Sequence, residues 1–198
     1  MITSDLGWRE SELGSFKILL RKFDITPVQK EALLRASWAL LYAHYEGFVK
    51  FCLTIYYDTI CSTIDAREKL SERLQHTSLR SEFKSARSLP DTELVKFILE
   101  FENKQMKDRP AFGEVETQSN LWPSVLDTLL READLETQGI SQYHSKLKVL
   151  VARRNSIAHG DKNFIKEVDY YLGFENDVYS VMYILALEID RKINEINV

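Results

Sequence analysis

Apolar residues recur at helical spacing along most of the chain, and two stretches show this most clearly. Between residues 178 and 196 they repeat every three or four positions, the period of an amphipathic helix with one buried stripe. Between residues 27 and 62 they cover more than one stripe, which is typical of a helix buried on most sides. No stretch alternates convincingly at the period of a strand. The pattern predicts an all-α fold.

Capping and turn residues divide this pattern into separate helices. Thr26 before Pro27 indicates an N-cap followed by proline at the first helical position. Gly160 stands where a helix end often takes a left-handed residue, and Asn120 and Ser141 are interpreted as N-cap signals. The predicted helices are 5–23, 27–62, 65–84, 92–103, one ending near 131, 141 to 157 or 158, and 163 to the C-terminus, with 104–116 as loop or short strand.

Composition is that of one globular domain, predicted to span residues 1–198. The chain is 44% hydrophobic and 28% charged, and 198 residues are enough to bury a core. No uncharged apolar run approaches the ~18 residues of a membrane helix, and the N-terminus lacks the pattern of a signal peptide. Cys52 and Cys61 form no metal or disulfide pattern and are expected to be buried thiols. We expect a cytoplasmic protein.

Charge is distributed unevenly along the chain. The net charge of −4 is not that of a strongly basic protein that binds nucleic acid without sequence preference. Residues 146–166, however, carry six basic residues against one acidic residue, Asp161. A small basic site on an acidic body suits one local phosphate contact better than a long duplex footprint.

This basic stretch contains a candidate catalytic set, Arg154, Asn155 and His159. Asn155 and His159 are four apart and share one face of a helix, and Arg154 borders the same face. Arginine suits phosphate oxygens, and histidine suits proton transfer to or from a 2′-hydroxyl or a leaving oxygen. Cleavage of RNA through its own 2′-hydroxyl would need no metal. The spacing alone is loose, and basic residues at a helix C-terminus also favour the helix dipole without any catalytic role.

Three segments resemble the HEPN superfamily, particularly the stand-alone bacterial branch of RiboL-PSP-like and MAE-type HEPN proteins. They are residues 33–52, which are similar to an early core helix of the branch, Ser119-Asn120-Leu121, and residues 150–160. The last segment is the most specific, since Arg154-Asn155 and His159 match the R-N-x-x-x-H signature of the family. The three segments together extend over most of the chain, with 63–104 least matched.

The resemblance implies an antiparallel helical bundle with additional helices, in which residues 63–140 form a variable insertion between core helices. It implies a symmetric homodimer that brings two copies of the motif into one cleft. It further implies a metal-independent endoribonuclease without a cofactor, with Arg154, Asn155 and His159 as catalytic residues. Toxin or phage-defence roles, with a cognate antitoxin or another defence-system protein as partner, belong to the same expectation. Asp161 departs from the tyrosine that some family toxins carry for modification, which places that form of control in doubt.

Further residues are weaker candidates. Glu46 and Arg153 are predicted as supporting residues of the site, although a structural ion pair or an exposed position is the more common role for a residue such as Glu46. Lys162 and Lys166 are candidates for guiding RNA phosphates, or for an ordinary solvated face. Tyrosines of the long helix could stack on bases, but core packing is the more common role. No histidine or cysteine spacing indicates a metal site.

Two other functions compete with the endoribonuclease. The acidic body and the inactive members of the family suggest a non-catalytic HEPN module that binds RNA, a nucleotide or a protein partner. The apolar central helix suggests a helical oligomerisation scaffold. Cleavage that depends on His159 would separate the first function from the other two.

Overall fold

The computed structural model describes residues 1–22, 24–136, 138–161 and 167–196. Within these ranges the chain forms α-helices and one 3₁₀ turn, Arg67–Lys69, but no strand, which confirms the all-α prediction. None of the described helices carries an apolar stretch long enough to cross a bilayer. The helices are α1 Ile2–Leu20, α2 Pro27–Thr63, α3 Glu72–Ser78, α4 Arg80–Ala86, α5 Asp91–Glu100, α6 Pro123–Glu132, α7 Gln138–Ser141, α8 His144–Ala158 and α9 Val168–Ile196.

Helix α2 is the centre of the fold. It begins as predicted, because the Thr26 hydroxyl accepts a hydrogen bond from the Gln29 backbone and the Gln29 side chain accepts one from the Thr26 backbone. This reciprocal pair is a capping box, and Pro27 follows it at the first helical position. Helices α1, α8 and α9 all pack on α2, which explains why its apolar residues cover more than one stripe.

An aromatic cluster joins α2 to α9. The Trp38 ring lies edge-on to the rings of Tyr171 and Phe174, with centroids 5.4 Å and 5.0 Å away. All three side chains are almost fully buried. Such edge-to-face pairs add about 0.5–1.5 kcal/mol each beyond the burial of their surface. The cluster therefore fixes the position of α9 on the central helix.

Helices α1 and α9 run antiparallel. Lys17 forms an ion pair with Glu175 at 3.0 Å, whereas Glu10, two turns earlier, accepts a hydrogen bond from Tyr183, two turns later. Glu175 is fully buried, and Tyr179 also donates to it at 3.2 Å. Both partners bind Oε1 of Glu175 and offset part of the cost of burying this carboxylate.

Three local predictions were wrong. The stretch 65–84 is not one helix: it contains the 3₁₀ turn, α3 and α4, with a break at Leu79. Asn120 does not cap a helix, because α6 begins at Pro123 and has no side-chain cap. Ser141 does not start α8, since it ends the short helix α7 and α8 begins at His144. The predicted start of the last helix at 163 lies outside the described residues.

The two cysteines differ in burial. Cys52 is fully buried, and this burial raises the pKa of its thiol to about 12. Cys61 is only partly buried, and burial raises its pKa as well. The prediction of buried thiols is therefore confirmed for Cys52 and was wrong in part for Cys61.

His44 is packed between α1 and α2. Its ring lies edge-on to Trp8, its Nδ1 is 3.4 Å from Arg9 Nη1, and its Nε2 is 2.8 Å from Glu12 Oε2. Burial lowers the pKa of His44 and Arg9 lowers it further, while Glu12 and Asp5 act in the opposite direction. The folded protein thus binds a proton at His44 less readily than the unfolded chain does.

We predict that His44 makes the protein less stable in mild acid. His44 contributes to the free energy of unfolding above about pH 6.5, the pKa of histidine in the unfolded chain. This contribution is lost as pH falls through that value towards the lower pKa of His44 in the folded protein. His44→Gln should therefore reduce the slope of unfolding free energy against pH between about pH 7 and pH 5.5. Denaturant unfolding at several pH values measures this slope. His76→Gln, at an exposed histidine on α3, is the matched control and should keep the wild-type slope. Equal slopes for His44→Gln and wild type would contradict the prediction.

Candidate active site

The C-terminus of α8 ends in a complete glycine cap. Gly160 has a φ of +79°, the left-handed conformation predicted from the sequence. The Gly160 amide donates to the Ile157 carbonyl at 3.1 Å, and the Asp161 amide donates to the Ser156 carbonyl at 2.9 Å. These two bonds are those of a Schellman motif. The cap ends the helix at Ala158 and places His159 at the C-cap position.

Arg154 is held against α2 by contacts on two sides. Its guanidinium carbon lies 4.7 Å from the centroid of the Tyr42 ring. Its Nη1 donates to Asn120 Oδ1 and to Asn155 Oδ1, each at 3.0 Å. A cation over an aromatic face gains about 0.5–2 kcal/mol, depending on how far it is desolvated. We call Tyr42, Asn120 and Asn155 the arginine cradle.

Tyr42 is fixed in turn by the segment that leads to α6. Its hydroxyl oxygen accepts a hydrogen bond from the Leu121 amide at 2.8 Å, and both groups are buried. Burial raises the pKa of Tyr42 and Glu46 adds to the rise, while the Leu121 amide and Arg154 lower it. Tyr42 is therefore a neutral phenol at ordinary pH, and it attracts Arg154 through its ring and not as a phenolate.

The turn that carries Asn120 is strained. Gln118 and Ser119 have φ values of 51° and 70°, although neither is glycine. Such left-handed residues cost about 1–2 kcal/mol each. The Asn120 amide closes the turn on the Thr117 carbonyl at 3.0 Å, and the Thr117 hydroxyl donates to the Glu46 carboxylate. The strained turn thus holds Asn120 where its Oδ1 accepts a hydrogen bond from Arg154.

His159 is exposed at the end of α8. Its backbone amide donates to the Asn155 carbonyl at 2.9 Å, so the two residues are one helical turn apart, as their spacing predicts. Among the described residues, no hydrogen bond or ion pair reaches the His159 imidazole. The structure therefore brings Arg154 and Asn155 into direct contact and leaves the imidazole open to solvent beside them.

The two supporting candidates, Glu46 and Arg153, make different contacts. Glu46 is one turn beyond Tyr42 on α2 and joins the site through Thr117; it forms no ion pair within the described ranges. Arg153 points elsewhere: its guanidinium lies over the rings of Trp38 and Tyr170, at 5.2 Å and 5.3 Å. This contact makes Arg153 part of the aromatic cluster and not of the cradle.

Other predicted residues do not add to this site. Lys162 and Lys166 lie outside the described residues, so their predicted role with RNA stays a prediction. The turn after Gly160 is held by Arg35, whose Nη1 donates to the Asp161 carbonyl. Across the described ranges, no three His, Cys, Asp or Glu side chains are grouped as metal ligands would be.

Sequence reasoning missed the roles of Asn120 and Tyr42. Asn120 was interpreted as a helix cap, and Tyr42 was grouped with tyrosines of the core. One signal was present, since Ser119-Asn120-Leu121 is among the segments that resemble HEPN proteins. No local pattern connects it to Arg154, because the two residues are 34 positions apart.

Comparison with known proteins identifies the family of the chain. A family model described as HEPN_MAE_28990/-like HEPN matches residues 1–196. The chain belongs to this HEPN family. No curated protein and no solved structure matches the chain. The match confirms the resemblance stated above and the HEPN-type all-α fold.

Membership assigns the chain a general class of function. HEPN domains are nuclease or RNA-binding modules, and many are ribonucleases. In this HEPN protein the arginine of the family motif is the one that the cradle holds. The geometry of the cradle is therefore the part of the structure from which a specific function can be argued.

We predict that the Tyr42 hydroxyl stabilises the fold through Leu121. Tyr42→Phe keeps the ring under Arg154 but leaves the buried Leu121 amide without its acceptor, which should lower the free energy of unfolding by about 1–3 kcal/mol. Denaturant unfolding measures this difference.

Tyr45→Phe is the matched control. The Tyr45 hydroxyl is also buried, but no described residue accepts or donates a hydrogen bond there. Removing it should leave stability unchanged or raise it slightly, because no bond is lost. If the two variants lost the same stability, the Leu121 bond would not be the cause.

Proposed function

We propose that the protein is a metal-independent endoribonuclease that cleaves RNA through attack by the substrate's own 2′-hydroxyl. The observation that carries the proposal is how the guanidinium of Arg154 is hydrogen-bonded. Its two hydrogen bonds to the cradle both use Nη1, and no other described residue bonds its Nε or Nη2. These atoms can donate to phosphate oxygens while the cradle holds the guanidinium in place.

The division of roles follows from the chemistry of the three side chains. Arg154 would bind the non-bridging phosphate oxygens and stabilise the charge that they gain in the transition state. His159, open to solvent one turn from Asn155, would exchange protons with the 2′-hydroxyl or the leaving oxygen. Asn155 would orient Arg154, since its Oδ1 accepts from Nη1.

The proposed step forms one bond and breaks one. The 2′-oxygen loses its proton to a base and bonds to phosphorus, and the bond from phosphorus to the 5′-oxygen breaks. The 5′-oxygen takes a proton as it leaves. The products are a 2′,3′-cyclic phosphate and a 5′-hydroxyl, and no oxidant, reductant or cofactor takes part.

Two copies of the chain would complete the site. One Arg–Asn–His set offers a single imidazole, whereas the step needs both a base and an acid. A symmetric homodimer with both motifs in one cleft, as the family resemblance implies, would supply two imidazoles. The exposed position of His159 is compatible with such a seam.

We place the activity in a toxin or phage-defence role, with a cognate antitoxin or another defence protein as regulator. The support is the family resemblance. Asp161 stands two residues after His159, where some family toxins carry a modifiable tyrosine, so regulation by modification of that residue is not part of the proposal.

The first prediction from this proposal concerns cleavage. Purified protein should cleave RNA in the presence of EDTA and leave 2′,3′-cyclic phosphate ends. His159→Ala and Arg154→Ala should each lower the rate at least ~100-fold, the usual weight of a proton-transfer group or a transition-state donor. Gel analysis of labelled RNA measures the rate and the product ends.

His76→Ala is the matched control for this assay, because His76 is an exposed histidine on α3, and it should cleave like wild type. Equal cleavage by wild type and both motif variants would exclude the proposal. Binding of RNA without any cleavage would favour the non-catalytic RNA-binding module instead.

The second prediction concerns the shared cleft. Wild-type and His159→Ala subunits, mixed by co-expression, should form heterodimers whose cleft holds two arginines but a single imidazole. Because the step needs both a base and an acid, cleavage should fall well below the fraction of wild-type subunits in the mixture. Cleavage in proportion to that fraction would show that each chain holds a complete site, and a monomer in light scattering would exclude the dimer.

A further inference from the structure

A single segment connects the candidate active site to a cleft further along α2. Leu121 contacts Tyr42, Thr117 contacts Glu46, and Phe112 contacts Tyr57. Residue numbers along the segment decrease as the numbers of their partners on α2 increase. The stretch 112–121 therefore runs antiparallel along one face of α2, from the arginine cradle towards the C-terminus of the helix.

The cleft lies where this segment begins. It has a volume of about 480 Å³, and its wall on α2 includes Lys50, Thr54 and Asp58. The opposite wall is residues 112–115. We call this space the 112–115 cleft. It is large enough for one aromatic base and opens to solvent beside exposed side chains of α2.

The cleft lies further along α2 than the cradle and partly round the helix from it. At ~3.6 residues per turn and a rise of ~1.5 Å per residue, Thr54 lies about 18 Å along the axis from Tyr42 and about 120° round it. Lys50, Thr54 and Asp58 are exposed beside the segment that covers Tyr42 and Glu46. A single RNA strand of a few nucleotides held by Arg154 can follow the edge of this segment to the cleft.

An aromatic pair forms part of the cleft. The rings of Tyr57 and Phe112 are stacked, with centroids 4.3 Å apart and planes 9° apart. Tyr57 is nearly buried, while Phe112 is half-exposed. Because Tyr57 holds Phe112 in one orientation, the cleft offers a preformed aromatic surface. Such surfaces bind unpaired bases by stacking.

The charges of the cleft favour a base over a phosphate. Asp58 and Glu114 contribute two carboxylates against the single cation Lys50. Two carboxylates repel a phosphate but accept hydrogen bonds from exocyclic amino groups of bases. Of the cleft residues on α2, Lys50 is the nearest in sequence to Tyr42, and it can contact the backbone of a strand that joins the cleft to the cradle.

We propose that the 112–115 cleft binds one unpaired, amino-bearing nucleobase of the RNA whose phosphate Arg154 holds, a few nucleotides from the cut. This inference rests on the proposed function. Adenine, guanine and cytosine meet its requirement, and uracil does not. The cleft would add sequence preference to a site whose other contacts are with phosphate.

The test scans a single-stranded RNA with one cleavage position, replacing one nucleotide at a time by an abasic unit. For wild type, one position a few nucleotides from the cut should raise KM roughly 5- to 100-fold, the weight of one stacked base, with kcat unchanged. Uridine at that position should also raise KM, but by less than the abasic unit does.

Variants of the protein then test whether the nucleotide at this position binds in the cleft. Phe112→Ala should raise KM for the intact RNA and make the enzyme insensitive to the abasic unit there, while Phe112→Tyr should behave like wild type. Phe83→Ala is the matched control, because Phe83 is also partly exposed and stacked, on Phe101, but lies outside the cleft. It should keep both the KM and the abasic sensitivity.

A measurement without cleavage separates this inference from the proposed function. Cys61 lines the cleft, and Cys52 is fully buried as an internal control. In the His159→Ala protein, intact RNA should slow alkylation of Cys61 by iodoacetamide at mildly alkaline pH. The RNA with the abasic unit at the sensitive position should not protect it.

The outcomes are distinct. RNA cleavage with no sensitive abasic position, or with Phe112→Ala still sensitive, overturns the cleft assignment and leaves the ribonuclease in place. Protection of Cys61 without any cleavage by wild type supports the cleft and removes the catalytic proposal. If the protein neither binds nor cleaves RNA, both the cleft assignment and the proposed function are overturned.

Discussion

A helix of 37 residues that is apolar around most of its circumference cannot be covered by a single neighbour. Helices α1, α8 and α9 and the segment 112–121 each cover one side of α2. Because all of them dock on one rigid element, their positions relative to each other follow from the side chains of α2. Trp38 holds α9, and Tyr42, one turn further, meets both α8 and the 112–121 segment. The place where three chain segments converge on one tyrosine is therefore the place where Arg154 can be held.

The cradle supplies the contacts that a partly desolvated guanidinium needs. A guanidinium beside a buried tyrosine loses water on one side, and that loss must be compensated by other contacts. The Tyr42 ring supplies an attractive face, and two amide oxygens supply acceptors. All three compensating groups are neutral, so none of them neutralises the charge of Arg154. An aspartate in place of Asn120 would pair with that charge and weaken its attraction for an anion.

Features that depend on neighbours in sequence were predictable, and those that depend on distant contacts were not. The N-cap at Thr26, the left-handed Gly160 and the length of α2 all followed from local residue types. The common face of Asn155 and His159 followed from helical spacing. Asn120 was misread because asparagine suits a cap and a side-chain contact equally well, and only the folded chain shows which of the two it makes. The break at Leu79 was missed because charged residues on both sides are good helix formers.

The members of the cradle come from widely separated parts of the chain. Tyr42 meets Leu121 across 79 residues, and Asn120 meets Arg154 across another 34. Contacts of such long range form late, since the loops between them must first be closed. During synthesis, α2 is complete long before α8 leaves the ribosome, and until then no arginine occupies the face of Tyr42. A chain still being translated therefore lacks the arrangement on which activity would depend, and a truncated product that ends before α8 would be inert towards the RNA around it.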